Sequence, residues 1–184
     1  MLTDRAVRVP LGADGRPLGR DSRLVGLLSD YQDAVVRSPL LDPVTTELVR
    51  LRCARQHDCR ICQTLRLSDA AAAGVDTAMT DQIDHYEDST LSERHKVALR
   101  IVDAFIWRPV DIDDGLVRQA HDHFTDAEIA EILVDITKWS TQKIHVALGT
   151  DGAERLPLNA DGVSYFAFDD SGRVTSISSE APEG

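Results

Sequence analysis

Apolar residues spaced three and four apart, in runs opened by a capping residue and closed by Gly or Pro, fill most of this chain and point to helix-on-helix packing. Asp42-Pro43 opens one run, a capping residue with Pro at the first helical position, and Val44, Leu48 and Leu51 form its stripe. Residues 92–107 carry Val97, Ala98, Ile101, Val102 and Phe105 on one face and stop at Pro109. Thr125-Asp126-Ala127-Glu128 is a near capping box, so the pattern predicts a last long helix over 126–148, with Ile129, Ile132, Leu133, Ile136, Ile144 and Ala147 inward and Gly149 as its stop. A first long helix is expected after Asp21-Ser22, carrying Leu24, Leu27, Leu28 and Tyr31 and ending near Ser38-Pro39, with short helices over 76–85 and 113–123. A third substantial helix is expected to open at Cys59 under an Asp58 cap and run through Ala70 to Ala73, ending at Gly74.

The two ends depart from this pattern. Residues 1–20 mix Gly, Pro and charge and read as an irregular arm, and residues 21–150 as the helical domain. Residues 151–184 read as an extension, in which GVSYFAFDDSGRVTSI alternates about an Asp-Asp-Ser-Gly turn and predicts a small hairpin. The formal net charge of −11 argues against nucleic acid or an anionic membrane as partner. No apolar run reaches the length of a membrane span, and the first residues lack a signal peptide's apolar stretch, so the expected location is cytoplasmic. Three clustered cysteines do not make a secreted disulfide framework; in a reducing compartment a close pair suits catalysis or metal binding.

The chemistry concentrates at Cys59-Arg60-Ile61-Cys62. Cysteines at i and i+3 in a first helical turn share a face, with Cα atoms roughly 5–6 Å apart, within disulfide reach. A helix start carries free N–H groups that favour thiolate over thiol, and Arg60 and Arg66 add positive charge. Glu47 sits on the inward half of its helix, where a partly desolvated carboxylate suits proton donation or acceptance.

The stretch from Glu47 to Cys62, a Glu, eleven residues and then Cys-x-x-Cys on the following helix, resembles the core motif of the alkylhydroperoxidase D-like (AhpD-like) family within the carboxymuconolactone decarboxylase superfamily. The resemblance covers roughly residues 20–150. It implies an all-α fold in which the cysteine pair cycles between dithiol and disulfide while reducing peroxides. It gives Cys59 and Cys62 the redox roles and Glu47 a place in a proton relay. It implies a small peroxide and an external dithiol as reaction partners, no metal, flavin or haem, and a homo-oligomer, trimeric or a multiple. The family's best-known peroxidases carry a His between the cysteines and another four residues after the second; here those positions hold Ile61 and Arg66. An Arg stabilises a thiolate but does not shuttle protons, so the relay is incomplete unless His57 or His145 reaches the site.

Other residues have blander readings. Cys53 belongs to a different packing surface and reads as a structural thiol, although Cys53, His57, Cys59 and Cys62 have the residue types of a Cys3His zinc site. Lys138, Trp139 and Lys143 cluster on the last helix, with Lys143 inside its stripe, as core edge or interface. Tyr31 is a further hydrogen-bond partner for a site. The expected function is a peroxidase-like thiol oxidoreductase using Cys59, Cys62 and Glu47. The alternatives are a cofactor-free lyase of a small lactone acid and a non-enzymatic redox sensor or scaffold. The order of attack stays open, with helix-start exposure favouring Cys59 and proximity to the Glu favouring Cys62.

Overall fold

The computed structural model describes residues 5–13, 17, 22–36 and 38–182. Its hub is helix α2 (Pro43–Gln56), capped by Asp42, whose carboxylate accepts from the Thr45 N–H at 2.8 Å and the Thr45 hydroxyl at 2.7 Å. Val49 and Cys53 on one flank of α2 pack with Val97, Ile101, Ile132 and Ile136. Leu48 and Leu51 on the other pack with Ile83, Tyr86 and Leu99. A helix buried on both flanks must pair its charges. Accordingly Arg50 pairs with Glu47, and Arg52 grips Asp103 at 2.7 and 2.8 Å.

The partners of α2 are α6 (Glu93–Trp107) and α8 (Asp126–Ser140), with α7 (Asp114–His123) on α6 and α1 (Ser22–Val36) on α8. Ser92 caps α6, and Thr125 with Glu128 closes the expected capping box on α8. The expected cap at Asp21 lies outside the described residues. Residues 76–85 form α5 (Thr77–Asp81) running into a 3-10 turn, Gln82–Asp88. Among the described residues no helix is long and apolar enough to cross a membrane.

Two expected long helices are broken. The one expected from Cys59 to Ala73 is α3 (Arg60–Thr64), strand β1 (Leu65–Leu67) and α4 (Ser68–Ala72). Arg50 causes the break: its guanidinium donates to the Cys62 carbonyl at 3.0 Å and to the Leu65 carbonyl, acceptors that a continuing helix needs. The helix expected over 126–148 ends at Ser140 and resumes as α9 (Lys143–Leu148), because the Thr141 N–H and hydroxyl both turn back onto the Lys138 carbonyl. The break rotates α9 out of register, so Lys143, Ile144 and Ala147 are exposed; the buried lysine is Lys138, on α8.

The predicted hairpin is present as β2 (Ser164–Phe168) and β3 (Val174–Ser178), antiparallel. It also pairs parallel with β1, Leu65 opposite Ser164 and Leu67 opposite Phe166, giving the sheet order β1-β2-β3. The extension is thereby fastened to the segment that follows the cysteine pair.

Candidate functional site

Cys59 and Cys62 form a disulfide with Cα atoms 5.3 Å apart, matching the reach expected from their spacing. Cys59 is the N-cap residue of α3, and its N–H donates to the Ala54 carbonyl at 2.9 Å. It is 0% exposed, against the expectation that a helix start would expose it, whereas Cys62 is half-buried and lines a cavity.

The helix start differs from the sequence expectation in a second way. Asp58 does not cap α3; it takes a left-handed backbone, φ 51°, and its carboxylate pairs with Arg5 at 2.8 Å. Asp151, just beyond α9, takes the first-turn groups instead. Its Oδ2 accepts from the Arg60 N–H at 2.9 Å and its carbonyl from the Ile61 N–H at 3.0 Å. Its side chain also pairs with Arg60 at 3.1 Å and Arg5 at 2.8 Å. The anion served by this five-residue helix is therefore a carboxylate rather than a thiolate. Burial alone raises the Asp151 pKa, but the hydrogen bonds from Arg60 and Arg5 prevail and hold it at about 2.

Glu47 is fully buried, and Arg50 accounts for both its oxygens, at 2.6 and 2.8 Å; Oε1 also accepts from the Leu67 N–H at 3.2 Å. Glu47 thus reaches the cysteine segment through Arg50, which holds the Cys62 and Leu65 carbonyls. Arg50 is 2% exposed, with its guanidinium carbon 5.8 Å from the Trp139 ring centroid and 5.5 Å from that of Phe166.

The cavity beside Cys62 holds about 230 Å³. α2 and β1 supply Arg50, Ala54 and Leu65; α1 supplies Gln32, Asp33 and Val36. Lys138, Trp139 and Gln142 close one side, and the hairpin covers the cavity with Phe166, Phe168, Val174 and Ile177. The walls are therefore largely apolar and the polar groups few, the usual character of a small-molecule site. Lys138 is 4% exposed, with Nζ 3.0 Å from the Trp139 ring centroid. Its burial lowers its pKa to about 7; Arg50 acts in the same sense, against Asp135 and Asp33. Asp135, one turn earlier, is raised to about 7 by burial.

The other sequence candidates lie elsewhere. Arg66 stands on β1 and donates to the Gln63 and Leu65 carbonyls, and burial lowers its pKa to about 10. His57 ends α2; both its ring nitrogens are buried without hydrogen-bond partners, and burial depresses its pKa to about 4. His145 is exposed on α9, with Nδ1 3.1 Å from the Thr150 hydroxyl. The Tyr31 hydroxyl donates to the Val134 carbonyl at 3.1 Å, joining α1 to α8. Cys53 lies in the core, where burial raises its pKa strongly. Among the described residues no group of three metal-ligating side chains comes together. Lys138 and the hairpin's phenylalanines were missed as site residues, because the cavity they line is assembled from segments distant in sequence and leaves no local signal.

A protein of unknown function from Agrobacterium tumefaciens, described as a candidate antioxidant defence protein AhpD, superimposes on this chain with a TM-score of 0.61 at 20% identity. The match covers 70% of this chain and 89% of the other. The fold is AhpD-like. No family model matches the chain. Two uncharacterized proteins from strains of Mycobacterium tuberculosis are each 37% identical to it over 147 residues, covering 76% of this chain and 52% of theirs. The chain thus spans about half the length of the curated relatives it matches.

Proposed function

We propose that this protein is a peroxidase-like thiol oxidoreductase that reduces small organic hydroperoxides through the Cys59–Cys62 couple. The observation that carries this reading is the asymmetry of the pair: Cys62 opens onto a largely apolar cavity while Cys59 is buried behind it. In the reduced state the Cys62 thiolate attacks the outer oxygen of R–O–O–H. The O–O bond breaks, Cys62 becomes a sulfenic acid, and the departing alkoxide takes a proton to leave as ROH. The Cys59 thiolate then attacks the Cys62 sulfur, forming the disulfide, and hydroxide leaves with a proton as water. An external dithiol resets the pair. Its first thiolate attacks Cys62, Cys59 leaves, and its second thiol closes the reductant's own disulfide, freeing Cys62.

Glu47 enters this scheme through the Arg50 tether that positions the Cys62 and Leu65 carbonyls. The family resemblance adds a homo-oligomeric assembly and a cytoplasmic setting, the first of which sedimentation of the purified chain tests.

The deciding experiment is organic-hydroperoxide consumption with dithiothreitol as reductant. Cys62→Ser is expected to slow turnover at least about a hundredfold. With no dithiothreitol present, Cys59→Ser is expected to react once and accumulate a dimedone-trappable sulfenic acid on Cys62. Free thiols unchanged by peroxide, or turnover intact in the double mutant, would sink the proposal.

A further inference from the structure

A thiol that attacks peroxide needs a group to take its proton and return one to the alkoxide. Among the described residues that line the cavity with Cys62, the titratable side chains are Asp33, Arg50 and Lys138. Arg50 is committed to Glu47 and to the Cys62 and Leu65 carbonyls. Asp33 stands on α1 with Arg173 3.9 Å away. Glu47 lies behind Arg50, and His145 is exposed on α9. Lys138 remains: it is buried, lines the same cavity as Cys62, and has its ammonium head against the Trp139 ring.

We propose that Lys138 is the proton-exchange partner of the Cys62 thiol, taking the place of the histidine relay whose positions hold Ile61 and Arg66. This rests on the thiol-redox reading of the cysteine pair. In the reduced protein the Cys62 S–H proton passes to the Lys138 amine, giving a thiolate beside an ammonium. When the thiolate attacks a hydroperoxide, the O–O bond breaks and the ammonium gives that proton to the alkoxide, restoring the amine. In the reverse half-cycle the amine accepts the proton of an incoming reductant thiol and returns it to the cysteine released. One proton is carried per step and none is lost.

The surroundings suit a lysine that exchanges protons. With the disulfide formed, burial and Arg50 of α2 lower its pKa to about 7, while Asp135 of its own helix and Asp33 of α1 oppose them. The hairpin contributes no charged side chain to this wall, only Phe166, Phe168, Gly172, Val174 and Ile177. In the reduced state thiol and amine titrate as a pair, and between their two macroscopic pKa values they share one proton, which exchanges between sulfur and nitrogen.

The test is the pH profile of iodoacetamide alkylation at Cys62 in the reduced protein, read by mass spectrometry, beside hydroperoxide turnover. Lys138→Met is expected to raise the alkylation midpoint by about one pH unit, slowing alkylation about tenfold on the acid side of that midpoint. Lys138→Arg keeps the charge and so holds the midpoint low, yet lowers turnover about a hundredfold because guanidinium cannot exchange the proton. Lys138→Gln carries the same expectation as Met and serves if the Met variant does not fold. A Met or Gln profile that overlays wild type while turnover persists overturns the role of Lys138 and leaves the peroxidase reading standing. A shifted profile without turnover in the wild type keeps the lysine–thiol pair and overturns the peroxidase reading.

Discussion

At Glu47 a fully buried carboxylate meets two guanidinium nitrogens and one backbone N–H, all on the wall between α2 and the cysteine segment. Removing one member of such a pair strands the other's charge in a poor solvent, typically at a cost of about 3–5 kcal/mol. Glu47→Gln should therefore destabilise the protein by about 3 kcal/mol, measured as a lower urea midpoint at unchanged slope. Arg50 would then be left charged between Trp139 and Phe166 without its counter-ion. If Glu47 were chiefly a proton carrier, the same substitution would spare stability and cost turnover alone. Amphipathic periodicity placed Glu47 on the inward side correctly, because inwardness is a property of its own helix. Its commitment to Arg50 was not inferred, although the residues are three apart, since a Glu–Arg pair at that spacing is as common on a solvated surface.

The hairpin acts as a single element covering the cavity, and its turn is fitted against α1. Gly172 has φ +83°, and a Cβ added there would lie 2.0 Å from the Asp33 carbonyl oxygen. Gly172→Ala must strain the turn or lift it off α1, at an expected cost of about 1–3 kcal/mol. Thermal unfolding should show the loss, and Cys62 in the reduced protein should react several-fold faster with a bulky thiol reagent as the cover loosens. An unchanged reaction rate would mean that Phe166 and Phe168 do not guard Cys62. The alternation and the Asp-Asp-Ser-Gly turn revealed both strands of this hairpin, since each lies within one local stretch. They could not reveal β1: Leu65-Arg66-Leu67 has no breaker before it, and it becomes a strand only because Ser164–Phe166, about a hundred residues later, pairs with it. The same limit explains the helix start, where Asp58 had the right sequence position for a cap and Asp151 has the right place in space.

On the scale of the whole molecule, Asp151 joins parts of the chain that are distant in sequence. It binds Arg5 near one end, the first turn of α3 with Arg60, and the segment leading from α9 into the extension. Its carboxylate titrates at about 2 in the folded protein, below the value of about 3.9 expected for an unfolded chain. A depressed carboxylate pKa means that the unfolded state binds more protons between these values, so stability falls as the solution is acidified through them. The tie is complete above about pH 4 and is progressively lost down to about pH 2. Asp151→Asn should thus lower the unfolding midpoint at pH 7, and the gap from wild type should narrow between about pH 4 and pH 2. A gap independent of pH would mean that Asp151 holds these segments through shape and neutral hydrogen bonds alone. Because α3 and its N-cap residue carry the two cysteines, the loss should also appear as faster reduction of the Cys59–Cys62 disulfide in acid by a phosphine, whose attack needs no thiolate. That coupling of fold to redox pair is specific to a cap supplied from outside the helix, since a local Asp58 cap would leave the N- and C-terminal segments unaffected by acid.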